Sequence, residues 1–241
     1  MKILKYKAVV FDLFGTLVRS FFMENYEQFL LDISAVLSLS YESFKDRWFK
    51  TYKARSNGYY PDIQANIEDI LKTLNMPIVP KKIESAVSLR YEITRRSLAL
   101  RSDALETIRE LKRRGLKTSL VSNCSPDVPL FFPATGVPSL FDACIYSCEA
   151  GFMKPDPKIY LLACEKLGVL PRDCIYIGDG YDNELAGATN LGMQAVLILP
   201  AGEPADAQTD ESRDWQGPVI ACLYDIIEFL DSTKTEVTDE R

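Results

Sequence analysis

Histidine does not occur anywhere in the 241 residues of this chain. Its absence excludes Ser-His-Asp and Cys-His nucleophilic catalysis, histidine-ligated zinc and imidazole proton relays together. Acid–base work falls to Asp, Glu, Lys, Tyr or Cys. The six cysteines form no C-x-x-C pair, which excludes the usual zinc and dithiol signatures. Most of them sit in apolar runs such as Asp173-Cys174-Ile175-Tyr176, as buried free thiols of a reducing, cytoplasmic setting do. No run approaches the roughly 20 apolar residues that span a bilayer, and the apolar run after Lys2, Lys5 and Lys7 is broken by Asp12 before reaching signal-peptide length. A soluble cytoplasmic protein is expected. The net charge of −6 argues against a broad surface for nucleic acid or anionic membrane. An anionic substrate would need a local basic pocket or a cation.

What is present is ordinary globular material, 47% hydrophobic and 26% charged, long enough for one large domain or two modest ones. Ala8-Val9-Val10-Phe11 is a short apolar run ended by Asp12, as in a strand buried on both faces of a parallel sheet. The character then changes. Tyr26, Phe29, Leu30 and Ile33 fall at helical spacing, as do Phe44, Trp48 and Tyr52, and Ile63, Ile67, Ile70, Leu71 and Leu74. Asn57-Gly58 and the stretch Pro77 to Pro80 interrupt them. After Leu100 strands and helices alternate. Asp103 and Glu106 form a capping-box pattern before the stripe Leu105, Ile108, Leu111. Strands are predicted at Thr118 to Val121, Ala143 to Tyr146, Cys174 to Ile177, Ala195 to Leu199 and Val219 to Cys222. Helices are predicted at Ile159 to Leu167, Asn183 to Leu191 and Leu223 to Leu230. The reading is α/β: a doubly wound parallel sheet with an inserted α-helical cap. Residues 1–17 and 101–231 would form the core domain and 18–100 the cap; 201–217 reads as a surface loop and 232–241 as a disordered tail.

In open parallel sheets ligands bind beyond the carboxyl ends of the strands. Those positions hold Asp12, then Ser122-Asn123, then Lys154, then Gly178-Asp179. Two facing carboxylates repel unless a cation lies between them, and Mg²⁺ prefers oxygen ligands. Taken singly, each residue has a plainer explanation. Asp12 suits a turn, Ser122-Asn123 a loop, Lys154 a solvated surface, and Glu184 a helix first turn. Tyr26, Phe29, Trp48 and Tyr52 read as cap core. Lys45, Arg47, Lys50, Lys53 and Arg55 read as a solvated helix face, with one in reach of substrate as the sharper alternative. Cys124 reads as a small buried side chain rather than a nucleophile.

Four motifs in order resemble those of the haloacid dehalogenase superfamily: Phe11-Asp12-Leu13-Phe14-Gly15-Thr16-Leu17, Leu120-Val121-Ser122-Asn123, Lys154-Pro155-Asp156-Pro157, and Ile177-Gly178-Asp179-Gly180 running on to Glu184 and Gly187-Ala188. The resemblance covers nearly the whole chain. It implies that Asp12 is the nucleophile of a covalent aspartyl intermediate. It further implies that Asp12, the carbonyl of Phe14 and Asp179 hold Mg²⁺, with Glu184 supporting the ion directly or through water. Ser122 and the Asn123 amide would bind the transferring group, Lys154 would neutralise it and orient Asp12, and the cap would close over a small phosphorylated substrate.

One position departs from the pattern. Phosphatases of this superfamily carry a second aspartate two residues after the nucleophile, as acid and base; here that residue is Phe14. Positioned acid–base catalysis is worth roughly 10²–10⁴-fold. An aromatic residue there is what the superfamily's metal-independent dehalogenases show, yet those lack the acidic residue found here at Asp179. Three functions are therefore carried forward: a Mg²⁺-dependent phosphatase, slow or favouring good leaving groups; a 2-haloacid dehalogenase; and a non-catalytic protein that binds a phosphorylated ligand. The substrate and the oligomeric state are not legible.

Overall fold

Ala8–Phe11, every residue of it buried, is the second strand in the chain and lies at the centre of the main sheet. The computed structural model describes residues 2–19, 23–200 and 208–236. In chain order the strands are β1 (Lys2–Ile3), β2 (Ala8–Phe11), β3 (Lys117–Ser122), β4 (Ala143–Tyr146), β5 (Cys174–Gly178), β6 (Gln194–Ile198), β7 (Val219–Ile220) and β8 (Thr235–Glu236). The helices are α1 (Met23–Leu37), α2 (Tyr41–Lys50), α3 (Tyr52–Ser56), α4 (Ile63–Thr73), α5 (Pro80–Ser97), α6 (Ala104–Arg113), α7 (Asp127–Phe131), α8 (Ser147–Ala150), α9 (Pro157–Leu167), α10 (Glu184–Asn190), α11 (Asp210–Asp214) and α12 (Asp225–Ser232).

Six strands pair in the order β4-β3-β2-β5-β6-β7, all parallel. The fold is α/β, as expected. Because side chains alternate across a strand, Val9 and Phe11 join one layer with Ala104, Ile108 and Leu111 of α6 and Ile226 and Leu230 of α12. Ala8 and Val10 join the other with Ile159, Tyr160 and Ala163 of α9 and Leu185 of α10. Burial on both faces explains why β2 reads as an unbroken apolar run. From β2 the chain passes outward through β3 to β4, then returns to place β5 on the opposite side of β2. That reversal leaves a crevice at the carboxyl ends of β2 and β5.

Helices α1 to α5 stand between β2 and α6 and have an apolar centre of their own, built on Phe29, Leu30, Ile33, Phe44, Trp48, Ile63, Ile67, Ile70 and Ala86. Their ends follow local rules: Ser40 accepts from Ser43 N before α2, Asp62 accepts from Ala65 N before α4, and Pro80 opens α5.

Three local expectations change. Asp103 does not cap α6; its Oδ2 accepts from Tyr224 N at 3.2 Å, tying α6 to the segment before α12. Within the expected 201–217 loop, 208–217 are described and contain α11, and 201–207 lie outside the described residues. Within the expected 232–241 tail, Ser232 ends α12, and Thr235–Glu236 pairs antiparallel with Lys2–Ile3, because that edge offers unpaired backbone groups. Residues 237–241 lie outside the described residues. All six cysteines are free thiols; Cys124, Cys164 and Cys174 are buried and Cys222 is exposed. No helix among the described residues is long and apolar enough to cross a membrane.

Candidate active site

Asp12 directly follows β2, and its backbone N–H donates to Ile177 O at 2.9 Å, extending the ladder to β5. Asp179 follows β5 one residue past its end. The intervening turn brings them together. Leu13 O accepts from Leu17 N at 2.9 Å and Val18 N at 3.0 Å, and Gly15 adopts φ +80°. A Cβ on Gly15 would stand 1.9 Å from Asp179 Oδ2, so both the backbone angle and the carboxylate demand glycine. Arg101 clamps the turn from outside, donating from Nε to Thr16 O at 2.9 Å and from Nη2 to Gly15 O at 2.8 Å.

Lys154 reaches the same point from the loop after α8. Its ammonium is buried and donates to Asp12 Oδ1 at 2.5 Å, to Tyr176 OH at 3.1 Å and to Glu184 Oε2. The Lys154-Pro155 peptide is cis. Glu184, fully buried at the start of α10, also accepts from Tyr176 OH at 2.6 Å and from Gly180 N at 3.1 Å. Both of its oxygens are thus occupied from within the protein. Gly178 makes room for it, since a Cβ there would meet Glu184 Oε1 at 2.0 Å. Ligand oxygens of Asp12, Asp179 and Glu184 lie within 4.8 Å of one another.

Three carboxylates against one ammonium leave a surplus of negative charge. Burial pushes the Asp12 carboxyl up to about 7; Lys154 opposes the shift and Glu184 adds to it. Burial, then Glu184 and Asp12, hold Asp179 well above the usual carboxylate range. For Lys154, burial works against the charged form, but Asp12 and Glu184 outweigh it and hold the group well above its ordinary value. The cluster is an all-oxygen set of hard donors short of positive charge, and a divalent cation fits it.

Ser122, the last residue of β3, is fully buried, and its Oγ has no hydrogen-bond partner among the described residues. A buried hydroxyl left unpaired is costly, and the rim where β3 ends is where a ligand would satisfy it. The Asn123 side chain is already employed: Oδ1 accepts from Lys154 N at 2.8 Å, while Nδ2 donates to Lys154 O at 3.1 Å and to Asp182 Oδ2 at 2.7 Å. It fixes the lysine loop and leaves its own backbone as the group nearest the expected role. Phe14 packs its half-buried ring against the sheet layer that holds Phe11.

Sequence reasoning missed four contributors. Tyr176 and Tyr160, stacked edge-on with centroids 5.3 Å apart, hold Glu184 by its carboxylate and by its backbone carbonyl, the latter at 2.9 Å. A buried tyrosine hydroxyl requires a partner, which was the available signal. Asp182 sits in the left-handed region at φ 57°, beside Asn183 at φ 55°. Its Oδ2 accepts from Asn123 and, across the seam to the helical unit, from Tyr52 OH at 2.9 Å. Tyr52 therefore reaches the site rather than belonging to the cap interior. A second seam contact joins Arg90 of α5 to Asp127 Oδ2 at 2.8 Å and Ser125 Oγ at 3.1 Å. Phe29 and Trp48 are buried in the helical unit, as expected, and Tyr26 accepts from Trp48 Nε1 at 2.6 Å.

The signature of haloacid dehalogenase-like hydrolases matches residues 6–192. The chain belongs to that family. Among its relatives, the glyceraldehyde 3-phosphate phosphatase of Methanocaldococcus jannaschii is 26% identical over 93% of this chain and 98% of its own length. The (S)-2-haloacid dehalogenase 4A of Burkholderia cepacia is also 26% identical, over 83% of this chain and 86% of its own. A solved HAD phosphatase from Thermococcus onnurineus superposes with a TM-score of 0.63 at 25% identity, covering 93% of this chain and 97% of that one. The chain is thus similar to phosphatases and to dehalogenases at the same level, and the choice between them falls to the site.

Proposed function

We propose that this hydrolase is a Mg²⁺-dependent phosphatase of small phosphorylated metabolites, working through an aspartyl-phosphate at Asp12. The observation that carries the reading is the acidic cluster. Asp179 faces Asp12 with Glu184 beside it, and one lysine does not balance the three. Attack on a 2-haloacid needs no cation, and uncompensated carboxylates would repel that anionic substrate. A phosphatase uses the same charge to retain a divalent ion.

Asp12, Asp179 and the Phe14 carbonyl would hold the Mg²⁺, with Glu184 acting directly or through water; the bound ion would draw negative charge off the phosphoryl oxygens. Asp12 Oδ attacks phosphorus, the ester P–O bond breaks, and the leaving oxygen departs with the electron pair. Water then attacks the phosphorus of the acyl phosphate, releasing inorganic phosphate and the free carboxylate. Lys154 holds Asp12 in place and neutralises the transferring group, and Ser122 Oγ with the Asn123 amide binds its oxygens. Phe14 cannot protonate the leaving group, so esters with stable leaving groups, such as aryl and acyl phosphates, are turned over faster than alkyl ones. The residues 18–100 form the cap that excludes water from this chemistry.

A panel of phosphate esters and 2-haloacids, each with Mg²⁺ and with EDTA, tests the reading. Phosphate release that requires Mg²⁺ and is lost in Asp179→Asn supports it. Halide release in EDTA supports the second reading, which Phe14 favours, and refutes the first.

A further inference from the structure

Among the described residues the helical unit buries two guanidinium groups, and one of these is paired with a carboxylate. Arg90 pairs with Asp127. Arg55, expected on a solvated helix face, is 4% exposed and lies flat against Trp48, 3.9 Å from the ring centroid. All its hydrogen bonds leave from Nη1, to Trp48 O at 3.0 Å, Thr51 Oγ1 at 2.8 Å and Asn66 Oδ1 at 2.9 Å. Every one of these acceptors is neutral. Nε and Nη2 donate to no acceptor among the described residues. Burying a charge that has no ion-pair partner is costly, and an apolar residue would serve the packing better. Burial lowers the guanidinium pKa to about 10, outweighing the pull of Tyr26 and of the Asp127 carboxylate that Arg90 already holds, while the like charge of Arg90 adds to the effect.

Arg55 belongs to α3, the helix of this unit that packs against α8 of the core. Tyr52 lies three residues earlier in α3, on the same helix face, and bonds Asp182, which shares Asn123 with the lysine loop. Just beyond α3, Gly58 presses on the core so closely that a Cβ would fall 2.2 Å from Cys148 O. One face of α3 therefore joins the rim to a buried cation that has no carboxylate of its own.

We propose that Arg55 binds a carboxylate on the substrate, so that the substrates are small phosphorylated carboxylic acids. The inference rests on the phosphatase reading and narrows it. The two unused donors, Nε and Nη2, lie along one edge of the planar guanidinium, and that edge matches the two oxygens of a carboxylate. The phosphoryl group engages Lys154 and Ser122, the carboxylate engages Arg55, and closure of the helical unit seals both.

Steady-state kinetics on 2-phosphoglycolate and 3-phosphoglycerate, against p-nitrophenyl phosphate, β-glycerol phosphate and 1,3-propanediol bisphosphate, provide the test. Wild type is expected to favour the two acids through a lower KM, by roughly 10- to 100-fold in kcat/KM over β-glycerol phosphate. Arg55→Gln is expected to erase that preference, lowering kcat/KM for the acids by that factor more than for p-nitrophenyl phosphate, and Arg55→Lys to restore part of it. Equal losses on all substrates in Arg55→Gln indicate a packing role and overturn the proposal, as does a preference for the bisphosphate. If the variants do not fold, the wild-type panel decides alone: hydrolysis without discrimination overturns this inference and leaves the phosphatase reading standing. No phosphate release from any ester sinks both.

Discussion

Titrating the protein with Mg²⁺ at several pH values tests the charge arithmetic of the site directly. Without a cation, Asp12 titrates at about 7 rather than 3.8, and Asp179 is displaced in the same direction. A shift of about 3 units corresponds to about 4 kcal/mol favouring the protonated form. A carboxyl whose folded pKa is raised binds more protons folded than unfolded, so the cation-free protein loses stability as pH rises from about 4 to about 7. Mg²⁺ binds only the ionised form and must displace those protons. With one proton displaced, the apparent Kd falls about tenfold per pH unit, or about 100-fold between pH 5 and pH 7. Calorimetry in buffers of different ionisation heat gives the protons released per ion, expected to be at least one at pH 6. Thermal unfolding gives the second readout: at 100 times the Kd the ion adds about 2.7 kcal/mol, so a fixed Mg²⁺ concentration stabilises strongly at pH 7.5 and weakly at pH 5. A Kd that stays flat from pH 5 to pH 8 with no proton release would refute the reasoning, because the carboxylates would then already be ionised and the surplus charge relieved by other means.

Phe14→Asp restores a proton donor beside the nucleophile and should raise kcat on alkyl phosphates by roughly 10²–10⁴-fold, with little gain on p-nitrophenyl phosphate; an unchanged alkyl rate shows that the missing acid does not limit turnover. Asp127→Ala leaves Arg90 buried without its counter-charge, and urea unfolding should register a loss of about 3–5 kcal/mol. Tyr52→Phe removes the hydrogen bond to Asp182 across the seam, a contact to a charged group of about 1.5–3 kcal/mol; kcat/KM should drop about tenfold, and an unaltered value means the seam closes without it. Gly15→Ala should abolish activity, since its Cβ overlaps Asp179 Oδ2, and a variant that keeps wild-type kcat contradicts the tight turn.

The sheet and its rim were legible because each depends on local pattern. β2 and β5 are apolar runs ended by polar residues, and β3, though it opens on Lys117, Thr118 and Ser119, carries Leu120 and Val121 into Ser122; such segments suit a parallel sheet buried on both faces. Asp12, Ser122, Lys154 and Asp179 follow from that, since each stands where its strand or loop reaches the rim. Arg55 was misplaced for a physical reason. Lys45, Arg47, Lys50, Lys53 and Arg55 do not share one wet face. Thr51 N–H donates to Arg47 O and Arg55 N–H to Thr51 O, so the helical path runs on from α2 into α3, and Arg55, two turns after Trp48, falls on the buried stripe of Phe44 and Trp48. Asp182 was hard to read because its position depends on two successive residues with positive φ; Asp and Asn tolerate that region better than other side chains, but nothing local marks that both will adopt it in a row.

Relatives of equal similarity leave the chemistry open, so the proposed reading leans on the site. Phe14 and Asp179 point toward different reactions when each is read alone. In the folded chain they are not equivalent votes. Phe14 packs an apolar ring against the sheet layer, and packing of that kind is not tied to one reaction. Asp179 is held against Asp12 and Glu184 in a position that raises its own pKa and forbids any side chain at Gly15. An arrangement that costs stability in the absence of a ligand carries more information about function than one that costs nothing. On the proposed phosphatase reading, the aromatic residue limits which leaving groups are handled, and the buried carboxylates are what argue for a cation, and with it a phosphoryl group, at this rim.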